Sequence, residues 1–394
     1  MKRSWIIEAA IAIALLPLIS CGGSSSNGGK IQFTASGEVL ALGGYGFPPA
    51  SGAVAFVDGW EIRFAKFLTT IDKIKLYTNP DTSPTDQSRV GSLVAEVDGP
   101  WAIDLHKGGP LVGKGGTDEQ AYPIAVLDNQ NKNGAKAFDP ATRYAFGFDL
   151  IPATASATFL QLQSNDPDYQ DMITNGYVVL YVGRATWLGN GTGGAACTSP
   201  PGSSFDFTTL PQVVNFKLGF KTPTTYLNCQ NPDNDPALGI GGEKHQRGIQ
   251  VQGNNTVVAQ VTVHTDHPFW ESFVHDSPAH FDQLAALATK DASGNYNVTM
   301  QATLAVDYTH FKFGSADLAW RSCVPTGGQG QYNFPNQNPY MGFVSGNIPH
   351  SGLTGDPTTS IRDYNDYMYY NQSTQGHLNS DGLCFVQRHY PSPP

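Results

Sequence analysis

The chain has 394 residues and a formal net charge of −10, and only 14% of its residues are charged. It holds 21 Phe, 17 Tyr and 6 Trp beside 43 Gly and 27 Pro, which argues against disorder, where aromatics are scarce, and against helical bundles, which are rich in Ala, Leu, Glu and Lys. The acidic excess and the lack of a basic stripe argue against nucleic acid as a partner, because such a surface must neutralise phosphate.

The first twenty residues read as a targeting signal. Lys2 and Arg3 precede the apolar run Ala9–Ile19, which is too short to span about 30 Å of hydrocarbon as a helix. The run ends in Leu18-Ile19-Ser20-Cys21. This resembles the bacterial lipobox, and the resemblance implies cleavage before Cys21 and lipidation of its thiol. Residues 1–20 are then the signal peptide, and the Gly/Ser-rich residues 21–30 a flexible tether. The expected partner is a membrane, held through acyl chains worth about 0.8 kcal/mol per buried methylene. The expected location is the bacterial envelope. Gly22, where an inner-membrane retention signal often has Asp, favours the outer membrane.

An oxidising envelope turns the remaining Cys197, Cys229, Cys323 and Cys384 into disulfide candidates. Three pairings are open. Cys197–Cys229 with Cys323–Cys384 is favoured, because each would close a Gly/Pro/Asn-rich excursion.

Alternation of apolar and polar residues dominates the rest. Ile31, Phe33, Ala35 and Val39 share one parity, and Glu61–Tyr77 shifts parity near Asp72, which predicts a β-bulge or two strands. Asn129, Asn131 and Asn133 imitate a calcium loop, but the first position lacks a carboxylate, so a hairpin turn is the better reading. Tyr144–Leu150 and Val214–Phe220 alternate, Tyr177–Val182 is apolar on both parities and reads as a central strand, and Val298–Tyr308 alternates again. The fold class is therefore mainly β: an antiparallel β-sandwich with long Gly/Pro/Asn-rich loops and one or two short helices near 268–289. Residues 31–225 form a β-sandwich domain, and 226–394 a second β-rich region or its continuation. The tyrosines at 364, 367, 369 and 370 read as an edge strand or core lid in preference to a sugar-stacking platform.

The chemistry concentrates in one place. Four of ten histidines, His264, His267, His275 and His280, fall within seventeen residues, interleaved with Asp266, Glu271, Asp276 and Asp282. A strand through His264 should stop near Pro268, with Asp266 or His267 where a helix N-cap would sit and Pro268 at the first helical position. A helix there would place His267, Glu271 and His275 on one face, and Ser277-Pro278 would start a second helix with His280 in its first turn. This predicts a metal site built from His264, His267, His275, His280 and Glu271, for copper or zinc, since neutral imidazole is the usual ligand of both. His106 and His310 are more distant candidates. Thr262-Val-His264-Thr-Asp266-His267 looks like a degraded metallo-β-lactamase signature with Thr262 in place of its first histidine, so none of that family's roles carry over.

The leading expectation is an outer-membrane or periplasmic lipoprotein that binds a transition metal at a His-rich strand-to-helix junction. In layout (lipobox, β-sandwich, four further cysteines) the chain is similar to the MbnP-like copper proteins of bacterial envelopes, although no motif aligns residue by residue. The alternatives are a metal-dependent hydrolase with Glu271 or Asp266 as general base, and a structural or adhesive surface protein without a site. No His-Glu-x-x-His and no Gly-x-Ser-x-Gly occurs.

Overall fold

A computed structural model describes residues 28–50, 53–80, 86–189, 206–233, 243–271, 273, 275–307 and 361–389, with strand segments at 197–198, 311–313, 316–318 and 324–325. Residues 1–20, read above as a signal peptide, and Cys21, His310 and Cys323 lie outside the described residues. No helix among the described residues is long and apolar enough to cross a membrane.

The chain is mainly β. Its principal elements are β1 (Lys30–Ser36), α1 (Glu38–Gly43), β2 (Trp60–Thr78), β3 (Gly116–Leu127), β4 (Arg143–Leu150), α2 (Pro167–Asn175), β5 (Val179–Trp187), β6 (Val213–Phe220), β7 (Thr224–Leu227), β8 (Thr256–Val263), α3 (Asp282–Leu287), β9 (Tyr296–Thr299), α4 (Tyr364–Gln372), β10 (Gly376–Leu378), β11 (Gly382–Leu383) and β12 (Phe385–Arg388). The smaller sheet runs β11-β10-β8-β1-β3, and the larger runs β9-β6-β5-β2-β4-β7-β12. Most ladders are antiparallel, but β1 with β8 and β6 with β9 are parallel. Both sheets contain strands from before and after residue 225, so the described residues of the two spans, 31–225 and 226–394, share one core.

Alternation explains the layering. Phe33 on the smaller sheet meets Phe146 on the larger (ring centroids 6.3 Å), and Tyr181 lies 4.7 Å from Phe67 and 6.4 Å from Phe269. All are buried, each worth about 1.5–3 kcal/mol. β2 carries the bulge expected near Asp72: its register shifts between Asp72 and Lys75, and Lys73 sits at φ 44°. Asp72 fixes it by accepting from Lys73 N (2.8 Å) and Gly99 N (2.9 Å).

Three local expectations need correction. The alternation from Val298 to Tyr308 is not one strand: β9 stops at Thr299, and Met300–Thr303 is a 3-10 turn. Asn365 pins that turn by donating to Met300 O and Thr303 Oγ1, both at 2.9 Å. The tyrosine cluster is the helix α4, started by Asp363 accepting from Asp366 N (2.9 Å). Tyr364 and Tyr367 face the core, as aromatics serving packing would. The disulfide joins Cys229 to Cys384, not Cys197 to Cys229 or Cys323 to Cys384. Its cause is topological: the residue pair Cys229/Gln230 lies against β11, with Gln230 N donating to Leu383 O (2.8 Å). Cys197 lies in a two-residue strand paired with Val324–Pro325.

Candidate metal centre

β8 delivers the first ligand. Its alternation buries Ala259, Val261 and Val263 on one side and turns Gln260, Thr262 and His264 to the other. β10 lies antiparallel beside it with His377 directly opposite Thr262. Cross-strand partners share a face and so do residues two apart, so His377 stacks on His264 with ring centroids 4.0 Å apart. His377 thus occupies, from a neighbouring strand, the place beside Thr262 that the degraded signature leaves without a histidine.

After β8 the chain makes one 3-10 turn, His267–Phe269, which stops at an extended Trp270, and the next helix is α3 at Asp282. The expected cap fails because the Asp266 carboxylate accepts from Trp270 Nε1 (3.1 Å) and makes no capping bond to backbone N–H. Trp270 is extended, and the chain becomes a closed loop. Glu271 N donates to Pro278 O and His280 N to Phe269 O, both at 2.9 Å. His275 lies within that loop, and the rings of His264, His267, His275 and His377 have centroid separations of 4.0–6.5 Å. One nitrogen from each lies within 4.8 Å of all the others. A tetrahedral ion with bonds of about 2.0–2.1 Å needs these nitrogens about 3.4 Å apart, so modest ring movements suffice. This His-rich group could hold a metal ion.

Hydrogen bonding orients the rings. The Thr374 hydroxyl donates to Asn371 O (2.7 Å), so it accepts from His267 Nδ1 (2.7 Å). The bare Nε2 of His267 is then buried without a partner. His275 Nδ1 lies 3.0 Å from Asp276 Oδ1, and its Nε2 is likewise buried and unpartnered. His264 Nε2 faces two acceptors, Ser380 O and Glu38 Oε1, each at 3.2 Å, which leaves Nδ1 as its lone-pair nitrogen. Neither nitrogen of His377 makes a hydrogen bond. A carboxylate or hydroxyl behind an imidazole fixes its tautomer and strengthens it as a donor.

Electrostatics follow the same division. Burial, reinforced by the charge of His264, pushes His267 and His377 well below the usual imidazole range and keeps both neutral. Burial opposes a charge on His264 too, but Glu38 overrides it and carries that ring up to about 9, so His264 holds a second proton at neutral pH that Nδ1 must release for an ion to bind there. Trp270 caps the cluster by stacking on His267 at 3.7 Å.

Two expected ligands stand elsewhere. His280 Nε2 bonds Glu271 Oε2 (2.8 Å), and its Nδ1 lies 3.9 Å from Asp58 Oδ2. Asp58 accepts from Phe281 N (2.7 Å) and Asp282 N (2.8 Å). The missing helix is the reason: without it His267, Glu271 and His275 do not share a face. Glu271 and His280 instead pair at the base of the loop that carries His275. His106 is also separate, its Nδ1 2.7 Å from Ala41 O. His377, conversely, gives no local signal, because it lies on a three-residue strand far from the histidine-rich segment.

No known family model, curated protein or solved structure matches this chain.

Proposed function

We propose that this chain binds one transition-metal ion, copper before zinc, through His264, His267, His275 and His377. The carrying observation is that buried ring nitrogens of His267, His275 and His377 converge with no hydrogen-bond partner. Leaving such groups unpaired costs about 1–3 kcal/mol each, a cost that a ligated ion removes. Four imidazoles and no thiolate suit copper(II) or zinc, and the order of divalent affinities places copper(II) higher.

Binding is favoured over hydrolysis. Four protein ligands close a tetrahedral shell, whereas a catalytic zinc keeps a position for water. Neither carboxylate suggested as a base is free: Glu271 pairs with His280, and Asp266 with Trp270. A lipid-anchored envelope location, supported by the lipobox-like Leu18–Cys21, completes the reading, and the sandwich with its histidine site fits the layout of MbnP-like copper proteins.

The test is metal content and affinity of the purified protein after exposure to copper(II) or zinc. One ion per chain is expected in the wild type and in His280→Ala. His377→Ala should bind at least about tenfold more weakly, and copper(II) resonance spectra should show several coupled nitrogens. Equal loading of His377→Ala and the wild type would overturn the assignment.

A further inference from the structure

The outer face of the larger sheet carries a row of polar side chains in register. Arg63 on β2 is the partner of Arg184 on β5, Arg184 of Asn215 on β6, and Asn215 of Asn297 on β9. They line an open cleft of about 590 Å³, within the size range of small-molecule sites. Two arginines, Arg63 and Arg184, are thus register partners on one exposed face in a chain of net charge −10.

The neighbouring cations are already neutralised. Lys66 pairs with Asp166 and Asp168, both at 2.7 Å, and Lys217 with Asp168 (2.9 Å) and Asp171 (2.8 Å). Arg63 donates to Glu61 Oε2 (2.8 Å) and to Gly43 O. Arg184 is exposed and, among the described residues, makes no hydrogen bond or ion pair. The Asn215 and Asn297 amides, 3.3 Å apart, continue the row with donors and acceptors.

We propose that this cleft binds a small molecule through an oxyanion, a phosphate or carboxylate group, seated on Arg184 and Arg63. A guanidinium offers a planar fork matched to such groups, and the fork of Arg184 is the one left without an acceptor among the described residues. The proposal does not depend on the metal site, which is built on the other sheet.

The test uses metal-free full chain, with inorganic phosphate and citrate as separate probes, followed by the arginine side-chain Nε–Hε NMR signals. Saturable shifts of Arg184 and Arg63 are expected with a Kd of about 1 mM or tighter. A response to one probe alone supports the site and identifies the phosphoryl or carboxylate source. Arg184→Gln should weaken binding at least tenfold, and Arg184→Lys, which keeps charge but not the fork, by less. His377→Ala should bind both probes as the wild type does. No shift with either probe at about 10 mM, or undiminished binding by Arg184→Gln, would overturn the proposal.

Discussion

Replacing Cys229 and Cys384 together by alanine tests whether the disulfide holds the metal site as well as the fold. The two residues are 155 positions apart. The chain-entropy relation for a loop of that length gives about 17 cal/mol/K, or about 5 kcal/mol at 25 °C, lost from the unfolded ensemble. The bridge also has a local role. Cys384 follows β11, and Leu383 of β11 is the register partner of His377. Releasing Cys384 removes the covalent tie and leaves that hairpin held to the Cys229 segment by Gln230 N to Leu383 O (2.8 Å), Asn379 Nδ2 to Asn231 Oδ1 (3.0 Å) and the adjoining β7–β12 ladder. Urea unfolding should therefore show a loss of about 2–5 kcal/mol, and metal affinity of the still-folded variant should drop about tenfold. Unchanged metal affinity in a folded double variant would refute the coupling of bridge to site. A stability loss under about 1 kcal/mol would refute the entropic argument.

Other consequences are equally accessible. Glu271→Ala leaves a buried nitrogen of His280 without its hydrogen-bond partner, so denaturant unfolding should register a loss of about 1–3 kcal/mol; metal stoichiometry should stay at one ion per chain, and a loss of the ion from folded protein would restore Glu271 as a ligand. Asp58 is pushed well above the usual carboxyl range by burial and then by Asp282. The native state therefore holds a proton that the unfolded state releases from about pH 3.9 upward, so this group's contribution to stability falls as pH rises from there. Asp58→Asn should flatten that part of the profile, and an identical slope in denaturation midpoints against pH would contradict it. At Gly376 a β-carbon would lie 2.5 Å from the Tyr226 ring. Gly376→Ala should cost about 1–3 kcal/mol by overpacking and displace the adjacent His377, which metal titration beside a thermal melt would detect.

The sandwich was legible because period-two alternation is written into Ile31–Ser36, Tyr144–Leu150 and Val214–Phe220, each a strand in the fold. The same signal misled at Val298–Tyr308, where Asn365 contacts, invisible locally, impose a turn. Three of the four clustered imidazoles were visible as a density of histidine around His264. His377 was not, because its place depends on which strand lies beside β8, a long-range fact of register. Glu271 was assigned to the ion on the strength of a helix that would share its face with His267 and His275, and His280 on that of a second helix from Ser277-Pro278. The first helix depended on a cap, and Asp266 is engaged by the Trp270 indole instead. Disulfide pairing failed for a related reason: proximity across sheets outweighed proximity along the sequence.

The parallel pairing of β1 with β8 sets a direction for the whole molecule. Lys30 stands opposite Thr256 at the start of the ladder, and Ser36 opposite Thr262 near its finish. At about 3.3 Å per residue, the imidazoles begin about 26 Å further along than the point where the leading segment joins. The imidazole cluster and the point where β1 begins therefore stand at opposite ends of this ladder.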